Sequence, residues 1–117
     1  MSIDLQAMQT DLVAARVDGW LFYDFRGRDP IAQRILKLPE GMRTRRWFYF
    51  VPSKGAPRKL VHKIEAQALE SLPGETFYYA GLQELEKGLK KILGRAKRLQ
   101  IRGVTKQQIE RLFVQDA

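Results

Sequence analysis

The sequence predicts an α/β domain of three layers, with helices on both faces of a mixed sheet. Three observations carry that expectation. Two unbroken apolar and aromatic runs, Trp20-Leu21-Phe22-Tyr23 and Trp47-Phe48-Tyr49-Phe50-Val51, have the composition of strands covered on both faces. Segments with apolar residues at helical spacing alternate with the strand-like runs along the chain. One turn cluster, Pro52-Ser53-Lys54-Gly55-Ala56-Pro57, joins two strand-like runs with no helix between them, so a hairpin interrupts the alternation. A chain of 117 residues is the size of one such unit.

The elements follow in order. Ile3, Leu5, Met8, Leu12, Val13 and Val17 recur at helical spacing, and with Ser2 or Asp4 as cap and Gly19 as stop they predict a helix packed on the sheet. Residues 20–23 then form a strand around which the rest of the chain is expected to be organised. Its character changes abruptly at Asp24: Arg26, Arg28 and Asp29 are charged, Gly27 permits an unusual turn, and Pro30 suits the first position of a helix capped by Asp29. Charged loops at the carboxyl ends of strands are where α/β proteins place function, so a site is expected there. Ile31, Ile35, Leu36 and Leu38 mark a short helix over 30–38 that Pro39 ends, followed by a loop over 40–44.

Arg45-Arg46 leads into the second aromatic strand, which the turn cluster joins to a strand over 59–64, giving an antiparallel hairpin with a connection of about six residues. Residues 65–72 carry Ala66, Ala68, Leu69 and Leu72 and read as a short helix closed by Pro73-Gly74. Thr76-Phe77-Tyr78-Tyr79 is a brief strand. Leu82, Leu85, Leu89, Ile92 and Leu93 mark a helix stopped by Gly94, with Lys87, Lys90 and Lys91 towards the end where cations complement the dipole. Residues 98–102 read as a last strand, and Thr105 caps a final helix bearing Ile109, Leu112 and Phe113.

Composition narrows the function classes. The chain has no cysteine, which excludes disulfides, thiolate metal sites and thiol nucleophiles. No run approaches the length of a membrane helix, and a cytoplasmic protein is expected. The net charge of +8 is unevenly spread: residues 1–86 hold 12 Lys/Arg against 11 Asp/Glu, residues 87–117 hold 9 against 2. A polyanion or nucleic-acid surface on Lys87, Lys90, Lys91, Arg95, Lys97 and Arg98 is therefore an alternative reading. The segment has neither aromatic stacking platforms nor a nucleic-acid motif, so a solvated basic face is preferred and nucleic acid is not the expected partner.

Catalytic constellations are missing from the pattern. A Ser/His/Asp triad would need His62, the only histidine, as base, yet it sits in a strand, and neither Ser53 nor Ser71 occupies a nucleophile elbow. Asp11 and Asp18, two helical turns apart, have no histidine to complete a metal site. Asp24 and Asp29 share one loop but lack the third carboxylate of a two-metal nuclease. The nine glycines form no phosphate-binding pattern.

Four blocks occur in an order that is specific as a set: residues 18–27 with Asp29-Pro30-Ile31-Ala32, then 44–52, 59–65 and 79–85. Together they resemble the N-terminal domain of bacterial Xaa-Pro aminopeptidases, the creatinase/prolidase group, over roughly residues 3–101. The resemblance implies a ribonuclease-H-like α/β/α fold. It implies that the chemistry resides in a separate pita-bread catalytic domain, absent from these residues, whose two divalent metals, such as manganese, are held by Asp, Asp, His, Glu and Glu. It implies for this chain a non-catalytic accessory role with no cofactor of its own. As a homo-oligomer, or beside a metallopeptidase catalytic domain, it would lend Phe25 and Arg26 to the rim of a neighbouring active site, where Arg26 would pair with a substrate carboxylate. The chain departs from the family at Asp29, where asparagine is usual, and after Ile101, so that 102–117 is atypical or truncated. An open sheet edge that pairs with a second copy is expected to follow.

Overall fold

The computed structural model describes residues 3–25, 30–39 and 45–102. The expected Asp29 cap, the 40–44 loop and the final helix after Thr105 lie outside the described residues.

Five strands form one mixed sheet: β1 (Gly19–Asp24), β2 (Trp47–Pro52), β3 (Arg58–His62), β4 (Glu75–Tyr79) and β5 (Leu99–Arg102), in the spatial order β4-β3-β2-β1-β5. β2 is antiparallel to both β1 and β3, whereas β3–β4 and β1–β5 are parallel. Four strands therefore run one way and β2 alone runs the other. The middle of the sheet is β2, not β1 as the sequence suggests: all six of its residues are buried, and β1 is its neighbour. The two aromatic runs look alike in one dimension, and only the pairing order decides which is central.

Alternation along the strands sends side chains to two cores. Phe22, Trp47, Tyr49, Val51 and Val61 face one side, together with Leu12 of α1 (Leu5–Ala14) and Ala32 of α2 (Pro30–Ile35). Leu21, Phe48, Phe50 and Leu60 face the other, against Leu85, Leu89 and Ile92 of α3 (Leu82–Leu93). The three-layer expectation is thereby met.

Helix ends differ from the sequence reading in a consistent way. Asp4 caps α1 by accepting the Ala7 N–H at 3.0 Å. The helix ends at Ala14 rather than at Gly19: Arg16, at φ 58°, donates to Val13 and Val17 donates to Leu12, the paired bonds of a Schellman motif. α2 ends likewise at Ile35, short of the expected 38, with Lys37 at φ 52° and bonds from Lys37 to Arg34 and from Leu38 to Gln33. A basic residue takes the left-handed position that glycine usually fills, so neither stop carried its usual residue. Gly19 is instead a buried strand residue.

The helix expected over 65–72 is replaced by a 3-10 turn, Lys63–Glu65, and a run of turns. Bonds from Ala68 to Glu65, Glu70 to Gln67 and Leu72 to Leu69 are all of the three-residue type. The burial of Leu69 and Leu72, three apart, suits the tighter period. The hairpin turn is 53–57, one residue shorter than expected because Pro52 still belongs to β2; Gln9 of α1 clamps it by donating to Pro52 and Gly55 carbonyls at 2.9 and 2.8 Å.

Candidate functional site

Because β1, β3, β4 and β5 share a direction, their carboxyl ends gather on one side of the domain. A cleft of about 230 Å³ opens there, lined by Phe25 after β1, Arg45 and Arg46 before β2, His62 at the end of β3, and Tyr79 to Leu82 after β4. The antiparallel register that sets Asp24 opposite Trp47 makes Phe25 and Arg46, one step further, neighbours. The Arg46 guanidinium lies 4.4 Å from the centre of the Phe25 ring, and its Nε donates to the Tyr23 hydroxyl at 3.2 Å. No carboxylate among the described residues forms an ion pair with Arg46.

The surrounding groups hold this arrangement in place. The Tyr79 hydroxyl donates to the Arg46 carbonyl at 2.5 Å, and burial pushes its pKa up to about 12 against the opposing pull of Arg46. Tyr79 is thus a neutral strut at physiological pH. The His62 ring stands edge-on to Tyr79 with centroids 5.0 Å apart, and its Nδ1 accepts the Ile64 N–H at 3.0 Å. Glu84, in the first turn of α3, accepts the Ala80 N–H at 2.8 Å and meets Lys63 at 3.7 Å, tying the far wall to the 3-10 turn after β3. Arg45 N–H donates to Glu65 at 2.9 Å. The cleft offers cations against aromatic walls, a setting for an anionic group attached to an apolar body. It pairs no nucleophile with a base: one nitrogen of His62 is occupied by the backbone, and the hydroxyl beside it is the strut.

Of the residues singled out by sequence, Phe25 lines the cleft and Arg26 lies outside the described residues. Arg46, His62 and Tyr79 were missed as site residues. The signal for Arg46 was the Arg45-Arg46 pair before an aromatic strand, legible only once the strand register is known. Asp24 is buried and accepts from the Phe25 N–H at 2.8 Å and from Gln33 at 3.1 Å, fastening the end of β1 to α2. Ser53 lies in the hairpin turn, at the opposite end of β3 from His62. Among the described residues no group of three or more His, Cys, Asp or Glu is placed to hold a metal ion, and no helix there is long and apolar enough to cross a membrane.

The six basic residues of the alternative reading fall on α3 and on the segment that follows it. Lys87, Lys90 and Lys91 are exposed on α3, where Lys90 pairs with Glu86 at 3.2 Å and Lys91 lies 5.0 Å over the Phe77 ring. Arg95 and Lys97 join Lys54 and Arg58 around a shallow cleft of about 260 Å³ at the other end of the sheet. Arg98 reaches that region through its backbone, which with that of Lys97 donates to Asp18 at 3.0 and 2.9 Å.

Comparison with solved structures identifies the fold. The creatinase/prolidase N-terminal domain of an X-Pro dipeptidase from Streptococcus pyogenes superposes with a TM-score of 0.68 at 20% identity, over 94% of this chain and 85% of that one. The fold is that of a creatinase/prolidase N-terminal domain. A proline dipeptidase structure from Streptococcus agalactiae matches this fold with a TM-score of 0.66 at 16% identity, over 94% and 84% of the two chains. The prolidase of Pyrococcus horikoshii matches with a TM-score of 0.60 at 14% identity; 92% of this chain is covered, and it spans 28% of that enzyme. No family model matches the sequence, and no curated protein does.

Proposed function

We propose that this chain is a non-catalytic N-terminal accessory domain of a cytoplasmic metallopeptidase of the Xaa-Pro aminopeptidase and prolidase type. It self-associates along an outer strand and lends the edge bearing Phe25, Arg26 and Arg46 to the rim of a neighbouring active site. The observation that carries this reading is the fold match over nearly the whole chain to an X-Pro dipeptidase N-terminal domain. The carboxyl-end cleft agrees with it: an arginine held over an aromatic ring suits a peptide carboxylate, since a guanidinium binds such a group through two parallel bonds. Among the described residues no group of three or more His, Cys, Asp or Glu is placed to hold a metal ion, and this reading assigns hydrolysis to a separate catalytic domain.

The test is a reconstitution. A prolidase catalytic domain stripped of its own N-terminal domain is assayed on a Xaa-Pro dipeptide with manganese, with and without this chain, while light scattering follows assembly. The chain alone gives no turnover, and its addition yields a complex with raised kcat/KM that Arg46→Ala diminishes. Turnover by the isolated chain, or no association at any ratio, overturns the reading.

A second reading rests on Lys54, Arg58, Arg95 and Lys97, which converge from separate segments on one cleft. A polyanion bound there would be released steeply by salt. Titration with short DNA and RNA at two salt concentrations decides it, and absence of binding at low salt removes it.

A further inference from the structure

The face of the sheet that carries α1 and α2 is unevenly covered. α1 packs on β1 and β2 and α2 on β1, and among the described residues only the turns of 63–72 lie over β3 and β4. A second cleft of about 360 Å³ opens there. Its floor is set by register: Lys59 pairs with Thr76 and Val61 with Tyr78, so these four side chains share one face. The opposite wall is Leu69, Gln67 and Glu70.

Lys59 is the unusual member. It is 7% exposed, yet it makes no hydrogen bond or ion pair among the described residues. Lysine is almost never buried to this degree without a partner. The ammonium is not sealed, since the buried side-chain nitrogens without a partner are the indoles of Trp20 and Trp47. The stem is packed and the charged tip opens on the cleft. Burial lowers the lysine pKa, and the nearby Glu70 carboxylate partly opposes that shift without coming within ion-pair distance. A cation and an anion thus stand apart across a gap with apolar flanks. Tyr78, half exposed, supplies one aromatic flank, while Val61 and Leu69 supply the other.

We propose that this cleft binds a small zwitterionic α-amino acid with an apolar side chain, its carboxylate on Lys59, its ammonium on Glu70 and its side chain against Tyr78, Val61 and Leu69. An α-amino acid bears both charges on one carbon, which suits charges of opposite sign that line one cleft without pairing with each other. A carboxylate seated on the ammonium also supplies the missing partner and opposes the lowering of its pKa. The volume suits a small ligand, and Thr76 and Gln67 furnish further polar contacts. The site is separate from the carboxyl-end cleft and does not depend on the reading of that cleft.

The experiment is calorimetric titration of the full chain with L-phenylalanine, phenylacetate (no ammonium) and phenethylamine (no carboxylate). L-phenylalanine binds with a Kd of about 1 mM or tighter, and each analogue binds at least about tenfold more weakly. Lys59→Met and Glu70→Gln each weaken L-phenylalanine by at least about tenfold, with thermal unfolding recording whether the variants stay folded. Glu70 is exposed, so its variant keeps the test valid if the Lys59 variant misfolds. No binding of L-phenylalanine overturns the proposal. So does phenylacetate binding equally well, or a folded variant binding like the parent.

Discussion

The two faces of the sheet are built from similar residues to different tolerances. On one, α3 lays Leu85, Leu89 and Ile92 into Leu21, Phe48, Phe50 and Leu60, and Gly88 lets the helix backbone come down onto Leu60. On the other, α1 contributes a single fully buried residue, Leu12, two indole nitrogens are buried without acceptors, and the β3–β4 side stays open around Lys59. Close packing and openness are thus divided between faces: the tightly packed layer stabilises the fold, and the thinner one leaves room for a ligand.

Paired truncations test this contrast with the largest effect. Leu89→Ala is expected to lower stability by about 4 kcal/mol and Leu12→Ala by about 2 kcal/mol, because a thinner layer collapses more readily onto a cavity. Equal losses in urea unfolding would break the comparison. Gly88→Ala comes next. A methyl there would sit 2.6 Å from Leu60 Cδ1, and the resulting overpacking exceeds the gain in helix propensity, leaving a net loss of about 1 kcal/mol. A stabilised variant would mean that α3 is not in tight contact after all.

The smallest effect concerns Asp18, which stitches the segment before β5 to the start of β1. Its carboxylate accepts two backbone N–H groups, from Arg98 and Lys97, and these hold its pKa below the ordinary 3.8. A depressed folded-state pKa means that the contribution is complete above 3.8 and is lost as pH falls from there through the lowered value. Asp18→Asn should therefore flatten the acid limb of the stability profile below that pH and change little at neutrality. An unchanged acid limb in thermal melts would show that these bonds do not report on protonation.

Some of this was legible in one dimension. Trp20 to Tyr23 and Trp47 to Val51 had to be strands, because β-branched and aromatic runs of that length fit buried pleated surfaces. Leu85, Leu89 and Ile92 had to share a helix face, and Phe25 had to follow the first strand, where it lines the cleft. Arg46 was not legible, because its partner is 21 positions away in the chain and adjacent only through the β1–β2 register. Lys59 was not legible either. In Arg58-Lys59-Leu60-Val61-His62 a lysine reads as solvent-facing, and nothing local reveals that its stem is buried beside Val61.

The sequence by itself determined which stretches could be strands and which helices, the hairpin joining β2 to β3, and an α/β layering without cysteine chemistry. Those are consequences of periodicity and residue type, which act over a few neighbours. Tertiary structure alone decided that β2 is central, that 63–72 is a 3-10 turn followed by a run of turns, and that Arg46 meets Phe25 while the Lys59 ammonium has no partner among the described residues. Each depends on strand order and register, and these are settled by contacts between segments whose separation along the chain carries no local signal.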